Sequence, residues 1–152
     1  MTVKNSFFIF LFFIFPVSFG FANEGESRFP PRAIINASYS GDVIMVTEIL
    51  AAGNVDKNVR DALGATALHV AILQSNLIVV KLLLDYGFDP SAKAEKNGNT
   101  PLHYAVAANN VNAVKLLLQY NANKNIRNLD GQTPLEKARR EGKDEIAKLL
   151  YR

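Results

Sequence analysis

A six-residue motif that returns at a nearly constant period constrains the fold of this chain more than any other feature. TALHVA at residues 66–71 recurs as TPLHYA at 100–105, 34 residues later, and as TPLEKA at 133–138, 33 residues further on. A glycine stands two positions before the threonine of each copy. Self-similarity at such a period is typical of chains built from stacked copies of one small unit. The sequence therefore predicts a repeat protein whose copies bury their apolar faces against one another.

A second pattern follows the first in step. VVKLLLDYG at 79–87 aligns with AVKLLLQYN at 113–121, and ILAAG at 49–53 ends a degenerate earlier copy in which Ile34 and Ala37 replace the motif's leucine and alanine. Apolar residues recur at helical spacing in both halves. Thr100 before Pro101 has the chemistry of an N-cap followed by proline at the first helical position. Each copy is thus expected to form two helices, the first about two turns long.

Residues that accept tight or left-handed backbone separate these predicted helices. Asn97-Gly98 and Asp130-Gly131 are strong turn signals between copies. Left-handed caps are expected at the ends of the second helices, at Gly53, Gly87 and Asn121. The first helices are expected to end near Gly41, Ser75-Asn76, Asn109-Asn110 and Gly142.

These motifs resemble ankyrin repeats over about residues 30 to 152. The resemblance implies an all-α repeat fold, an ankyrin solenoid of stacked helix-turn-helix units with projecting β-turn loops, divided at about 31–61, 62–95, 96–128 and 129–152. This chain departs from the family pattern in Ala67 for proline, Glu136 for histidine and Asn121 for glycine. The first two loops between repeats are also one residue longer.

The first 22 residues have the three parts of a cleaved signal peptide. Lys4 precedes an apolar run at 7–15, and Gly20 and Ala22 fit a peptidase that would release a chain starting at Asn23. The alternative is a retained anchor, but a bilayer-spanning helix needs about 20 apolar residues and residues 7–21 are interrupted by three breaks. We therefore expect a periplasmic or secreted protein, with a eukaryotic secretory route as an alternative to a two-membrane bacterium. Residues 23–30 are expected to be a flexible lead-in.

Composition and motifs argue against several functional classes. The chain has no cysteine, so neither disulfides nor metal–thiolate sites are available to it. Its net charge of +3 is too small to indicate nucleic-acid binding. His69 and His103 are the only histidines, and each is expected to bond a neighbouring threonine or loop backbone rather than a metal. We expect no catalytic residues, no metal and no cofactor, and hence no enzyme activity.

The resemblance implies a non-catalytic module that binds a partner protein through the β-turn tips and the exposed side of the first helices. Tyr39, Leu63 and Leu73 are large apolar residues on that surface, where packing does not require them. The alternative function is an exported effector that acts on a host protein. A monomer with no membrane contact after signal cleavage is expected. The predicted partner-binding residues are Tyr39, Leu63, Leu73, Gln74, Lys96, Asn97, Asn99, Ala107 and Ala108.

Overall fold

The structure, a computed structural model, describes residues 28–152, so the predicted signal peptide lies outside the described part of the chain. Within that part the chain forms eight helices and no strand. They follow one another in four pairs, one pair for each predicted repeat. The helices are α1 (Ala33–Ser40), α2 (Val43–Ala51), α3 (Ala67–Leu73), α4 (Leu77–Asp85), α5 (Pro101–Ala107), α6 (Val111–Gln119), α7 (Pro134–Arg140) and α8 (Asp144–Tyr151).

The helices are arranged in two stacked layers. The first helices of successive repeats pack in the order α1, α3, α5 and α7, and the second helices pack in the order α2, α4, α6 and α8. Within each repeat the two helices also pack against each other. This confirms the predicted all-α solenoid, in which each repeat contacts its neighbours along the chain.

The first helices of the last three repeats begin with a reciprocal cap. Thr66, Thr100 and Thr133 are their N-cap residues, and in each case the side chain three positions later bonds back to the threonine N–H. Pro101 stands directly after its cap, as predicted. The caps satisfy N–H groups that a helix leaves without intrahelical partners, which sets where each helix starts.

The second helices of the first three repeats begin with an Asx cap. The Asp42 carboxylate and the amide oxygens of Asn76 and Asn110 each accept a backbone N–H three residues later, at 2.9, 3.2 and 2.9 Å. Asn76 and Asn110 were predicted only as turn residues. An Asp or Asn directly before an apolar helix is itself a start signal, so the caps were readable from the sequence.

The left-handed caps predicted at the ends of the second helices are confirmed. The second helices of the first three repeats are followed by Gly53, Gly87 and Asn121, with φ of 81°, 78° and 59°. At these positions the backbone N–H bonds back to a carbonyl of the preceding helix. The turns after the first helices contain Gly41, Ser75, Asn109 and Gly142, all with positive φ.

The core lies between the layers and continues from repeat to repeat. Leu68 and Leu102 in the first layer, and Leu83 and Leu117 in the second, are at most 1% exposed. Phe29, the second described residue, packs against the first repeat, so the lead-in contacts the core at this point. Among residues 28–152 no helix has both the length and the apolar character needed to cross a bilayer.

Candidate partner-binding surface

The predicted tips are compact turns built by short-range hydrogen bonds. In the first tip the Asp61 carboxylate accepts the N–H groups of Leu63 and Ala65 through the same oxygen, at 2.7 and 2.9 Å. In the third tip the Asn128 side chain accepts the N–H of Gln132 at 2.9 Å. Each turn thus presents its middle residues outward while its base is held by a side chain.

Successive tips are joined to one another through their backbones. The N–H of Glu95 bonds to Gly64 O at 3.1 Å, and the N–H of Leu129 bonds to Asn97 O at 2.9 Å. Gly64 has a φ of +74°, and a Cβ there would lie 2.5 Å from the Glu95 Cβ. Only glycine permits this approach of one tip to the next. The tips therefore form one continuous row rather than separate flexible loops.

Each motif histidine links its own helix to the following tip. His69 Nδ1 accepts the Thr66 N–H at 3.2 Å, and its Nε2 lies 3.1 Å from Asn99 O. His103 repeats the arrangement with Thr100 N–H at 3.1 Å and Gln132 O at 2.8 Å. Since a carbonyl oxygen can only accept, both rings carry their proton on Nε2. The predicted structural role of the two histidines is confirmed.

Burial keeps these imidazoles neutral. Loss of hydration lowers the pKa of His69 to about 4, against the partly compensating hydrogen bond to Asn99. Burial also lowers the pKa of His103. Both rings are 0% exposed, so neither is available to a partner or a metal at the surface.

A carboxylate takes the place of histidine in the fourth repeat. Glu136 accepts the Thr133 N–H at 2.8 Å and pairs with both terminal nitrogens of Arg127, at 2.6 and 3.1 Å. The Thr133 N–H and then the Arg127 guanidinium lower the pKa of Glu136. The departure from the family pattern thus preserves the cap and adds an ion pair.

Exposed apolar side chains lie where the first helices meet the tips. Tyr39, Leu63 and Leu73 are 43%, 55% and 46% exposed. The Tyr39 hydroxyl donates to Asp61 Oδ2 at 2.8 Å, while Asp61 Oδ1 holds the Leu63 N–H. This chain of bonds places Tyr39 and Leu63 on either side of one carboxylate. Leu73 ends α3, the helix that packs against α1.

Asp61 lies at the base of this patch as an ionised carboxylate that accepts three hydrogen bonds. Partial burial alone would raise the pKa of Asp61, but hydrogen bonds from the Ala65 N–H, the Tyr39 hydroxyl and the Leu63 N–H hold it below its usual value. The same contact, with Asp61 as acceptor, raises the pKa of Tyr39. The ring of Tyr39 is therefore oriented before any partner arrives, which reduces the entropy lost on binding.

The remaining predicted residues divide into two groups. Gln74, Lys96 and Ala107 are exposed, and Ala108 is half-buried beside them. The side chains of Asn97 and Asn99 instead form hydrogen bonds within the fold. Asn97 Oδ1 accepts the Asn99 N–H at 2.9 Å, and Asn99 Oδ1 accepts the Asn128 amide at 2.8 Å. Their side chains thus stabilise the tip row, a role that was not predicted for them.

Two further residues on this surface were missed. Tyr104 is half-buried, and its ring meets the edge of His69 with the centroids 4.8 Å apart. It precedes Ala107 and Ala108 by one helical turn, so the helical period could have placed it on the same surface. Lys93 is exposed and raises the local positive potential near His103, whose pKa it helps to lower. No sequence signal marked it.

The family model described as Ankyrin repeats (3 copies) matches residues 5–94, 34–128 and 92–152. The chain is also similar to the transient receptor potential channel pyrexia of Drosophila melanogaster, with 41% identity over 59 residues. That match covers 39% of this chain and 6% of the channel, so the likeness extends to a small part of the channel alone.

The matched regions include all eight helices, the tip row and the capping threonines described above. The chain therefore belongs to the ankyrin-repeat family, whose repeats serve as protein–protein interaction modules.

Proposed function

We propose that this protein is a non-catalytic binding module that is exported and captures a partner protein through its tips and first helices. The single observation that carries the proposal is the exposed apolar patch of Tyr39, Leu63 and Leu73, in which Asp61 holds the Tyr39 hydroxyl and the Leu63 N–H. Large apolar side chains at about half exposure leave apolar surface that a partner can cover, and desolvation of such side chains supplies most of the energy of an interface.

The location of the patch supports a partner that contacts repeats one to three. The corresponding helix positions change from Tyr39 and Leu73 to Ala107 and then to the charged Arg140. A charged rim position contributes little to affinity, whereas an apolar centre contributes much. We therefore assign the centre of the interface to the amino-terminal half of the surface and its edge to the fourth repeat.

The proposed compartment is the periplasm or the exterior of the cell, and it rests on the signal-like residues 1–22. The alternative, an exported effector that binds a host protein, uses the same surface. Capture experiments separate the two, because a periplasmic module would retain a protein from its own compartment and an effector would retain one from host extract.

The decisive experiment compares two pairs of substitutions that remove similar side chains from opposite faces. Leu63→Ser with Leu73→Ser alters the patch, and Ile44→Ser with Ile78→Ser alters the second-helix layer, where both isoleucines are more than 60% exposed. The first pair is expected to weaken affinity for the captured partner at least tenfold, and the second less than threefold, with melting temperatures checked for both. Loss of binding only in the isoleucine pair would move the site to the opposite face and overturn the proposal.

A further inference from the structure

The middle tip of the row differs from its two neighbours in length and in charge. Its closing bond, from the Ala94 N–H to Asn99 O at 2.9 Å, joins residues five positions apart. The closing bonds of the first and third tips join residues four positions apart. The middle tip therefore has one residue more between its ends, and it carries the charged residues Glu95 and Lys96 there.

Lys93 and Lys96 give the middle tip a positive charge that no acid neutralises. Both side chains are exposed, and neither forms an ion pair with any residue in the range 28–152. The acid of this tip, Glu95, is instead paired with Arg60, whose Nε lies 3.3 Å from Glu95 Oε1. Burial lowers the pKa of His103, and the charge of Lys93 lowers it further, which places Lys93 on the first-helix side of the tip. The middle tip thus attracts negative charge.

Exposed leucines lie on both sides of Lys96 in the tip row. Leu63 of the first tip and Leu129 of the third tip are 55% and 69% exposed. The residues on either side of Lys96 in the chain form the backbone bonds that join the middle tip to the first and third tips. Lys96 is therefore held between the two leucines, and the order along the row is apolar, cationic and apolar.

An acid on the third tip disfavours an occupant that is negatively charged along its whole length. Asp130 directly follows Leu129, is exposed and has no ion pair within the described residues. It would repel a phosphate or a carboxylate placed beside it. Repulsion of this kind discriminates against a nucleic acid, but not against a peptide whose negative charge is confined to the middle tip.

The stacking of the repeats sets the spacing that an occupant has to match. Neighbouring packed helices lie about 8–10 Å apart, and each tip precedes the helix of its own repeat. A polyproline II segment has three residues per turn and advances about 3.1 Å per residue. Residues three positions apart in such a segment share one face and are about 9 Å apart, so they match successive tips.

We propose that the partner is captured through an extended segment that has an acidic residue between two apolar residues, each about three positions from it. The apolar side chains cover Leu63 and Leu129, and the carboxylate meets Lys96, with Lys93 adding to the attraction. This inference rests on the proposed function, since it names the kind of partner that the same surface binds. Leu129 then contributes at the edge of the interface.

The first test uses a random peptide library without charge bias as the probe and the exported chain as the target. Peptides with the apolar, acidic and apolar order are expected to be selected. Lys93→Glu with Lys96→Glu should weaken their affinity at least tenfold. The matched control is Lys115→Glu with Lys148→Glu, which changes two exposed lysines of the second helices that also lack ion pairs within residues 28–152. This control should weaken affinity less than threefold, with melting temperatures measured for both variants.

The second test screens the variant with Lys93→Glu and Lys96→Glu against the same library. Reversal of the charge at the middle tip should select peptides with Lys or Arg at the central position and the same flanking apolar residues. A change of preference cannot arise from lost stability alone, so this comparison remains informative if the two substitutions also lower the melting temperature.

The outcomes separate this inference from the proposed function. Peptides that need Leu63 and Leu73 but not the two lysines would leave the proposed function in place and overturn the acidic segment. Peptides that need neither pair would contradict both. Selection of no peptide, or of peptides without the ordered acidic and apolar residues, would also overturn the inference. So would displacement of the peptides by mixed-sequence single-stranded DNA at an equal concentration of charge, which would assign the tips to a polyanion.

Discussion

At the scale of single residues, the motif histidine shows how one side chain can serve two structural units. Nδ1 of His69 accepts the N–H that starts its own helix, and Nε2 donates to the tip of the next repeat. Only a neutral imidazole can accept at one nitrogen and donate at the other. Protonation would therefore both break the cap and place a charge in the core.

The first prediction follows from the lowered pKa of His69. An unfolded chain binds a proton near pH 6.5, whereas the folded chain resists protonation down to about pH 4. Stability is thus fully present above pH 6.5 and is lost as the pH falls from 6.5 towards 4. Between pH 7 and pH 5, His69 should reduce the free energy of unfolding by about 2 kcal/mol.

Urea unfolding at the two pH values measures this loss. His69→Gln and His103→Gln, singly and together, provide the controls, because a glutamine side chain can accept and donate without titrating. The double variant should lose much less stability over the same range. A loss as large as in the parent would show that carboxylates, not histidines, cause the acid sensitivity.

The second prediction concerns a left-handed residue that is not glycine. Ser75 has a φ of 55°, a conformation that costs an L-residue about 1 kcal/mol, and its side chain is exposed. Ser75→Gly should raise the free energy of unfolding by about 0.5–1 kcal/mol. Ser40, also exposed, ends the right-handed helix α1, so Ser40→Gly should lower it by a similar amount. Thermal denaturation of both variants checks the opposite signs.

At the scale of the helices, packing rather than propensity provides stability. The eight helices within residues 28–152 are seven to nine residues long. Isolated helices shorter than about 12–15 residues are marginal in water. Each helix therefore depends on contacts with neighbours in its own and adjacent repeats, and a defect in one interface should affect the whole array.

The third prediction tests this dependence. Leu83→Ala and Leu117→Ala remove fully buried side chains from the second layer and should each cost about 2–5 kcal/mol. Ile78→Ala lies on the same helix as Leu83 but removes a side chain that is 62% exposed, so it should cost less than about 1 kcal/mol. Chemical denaturation of the three variants checks the order. If Leu83→Ala or Leu117→Ala were as stable as the parent, these leucines would not be part of the stabilising core.

At the scale of the whole molecule, the two ends and the two sides of the solenoid have different surfaces. The carboxy-terminal end is charged, the amino-terminal end has an apolar groove, and the tip side bears the patch proposed to bind a partner.

The fourth prediction concerns the leader, whose removal we propose. Intact-mass measurement of the exported chain should show a protein that starts at or near Asn23, because Gly20 and Ala22 fit the small-residue positions of a cleavage site. Ala22→Phe, which fills the position before the cut with a large side chain, should block or shift processing. A full-length mass together with membrane retention would favour the anchor alternative.

The sequence by itself determined the features that are encoded within one repeat. Local spacing and backbone sterics predicted the helix positions and the role of the motif histidines. They also predicted the left-handed caps at Gly53, Gly87 and Asn121. All of these predictions are confirmed. The Asx caps and the position of Tyr104 on the first-helix surface also follow from local sequence spacing, although they were not predicted.

The tertiary structure decided which side chains far apart in the sequence meet. The Tyr39–Asp61 bond joins residues 22 positions apart and the Asn99–Asn128 bond joins residues 29 positions apart, and neither pair is marked by the repeat motif. A period in the sequence shows that such units are similar, but not which side chains meet across their interface. Which side chains contact one another depends on how the helices stack. The helices stack in the arrangement that buries their shared apolar core.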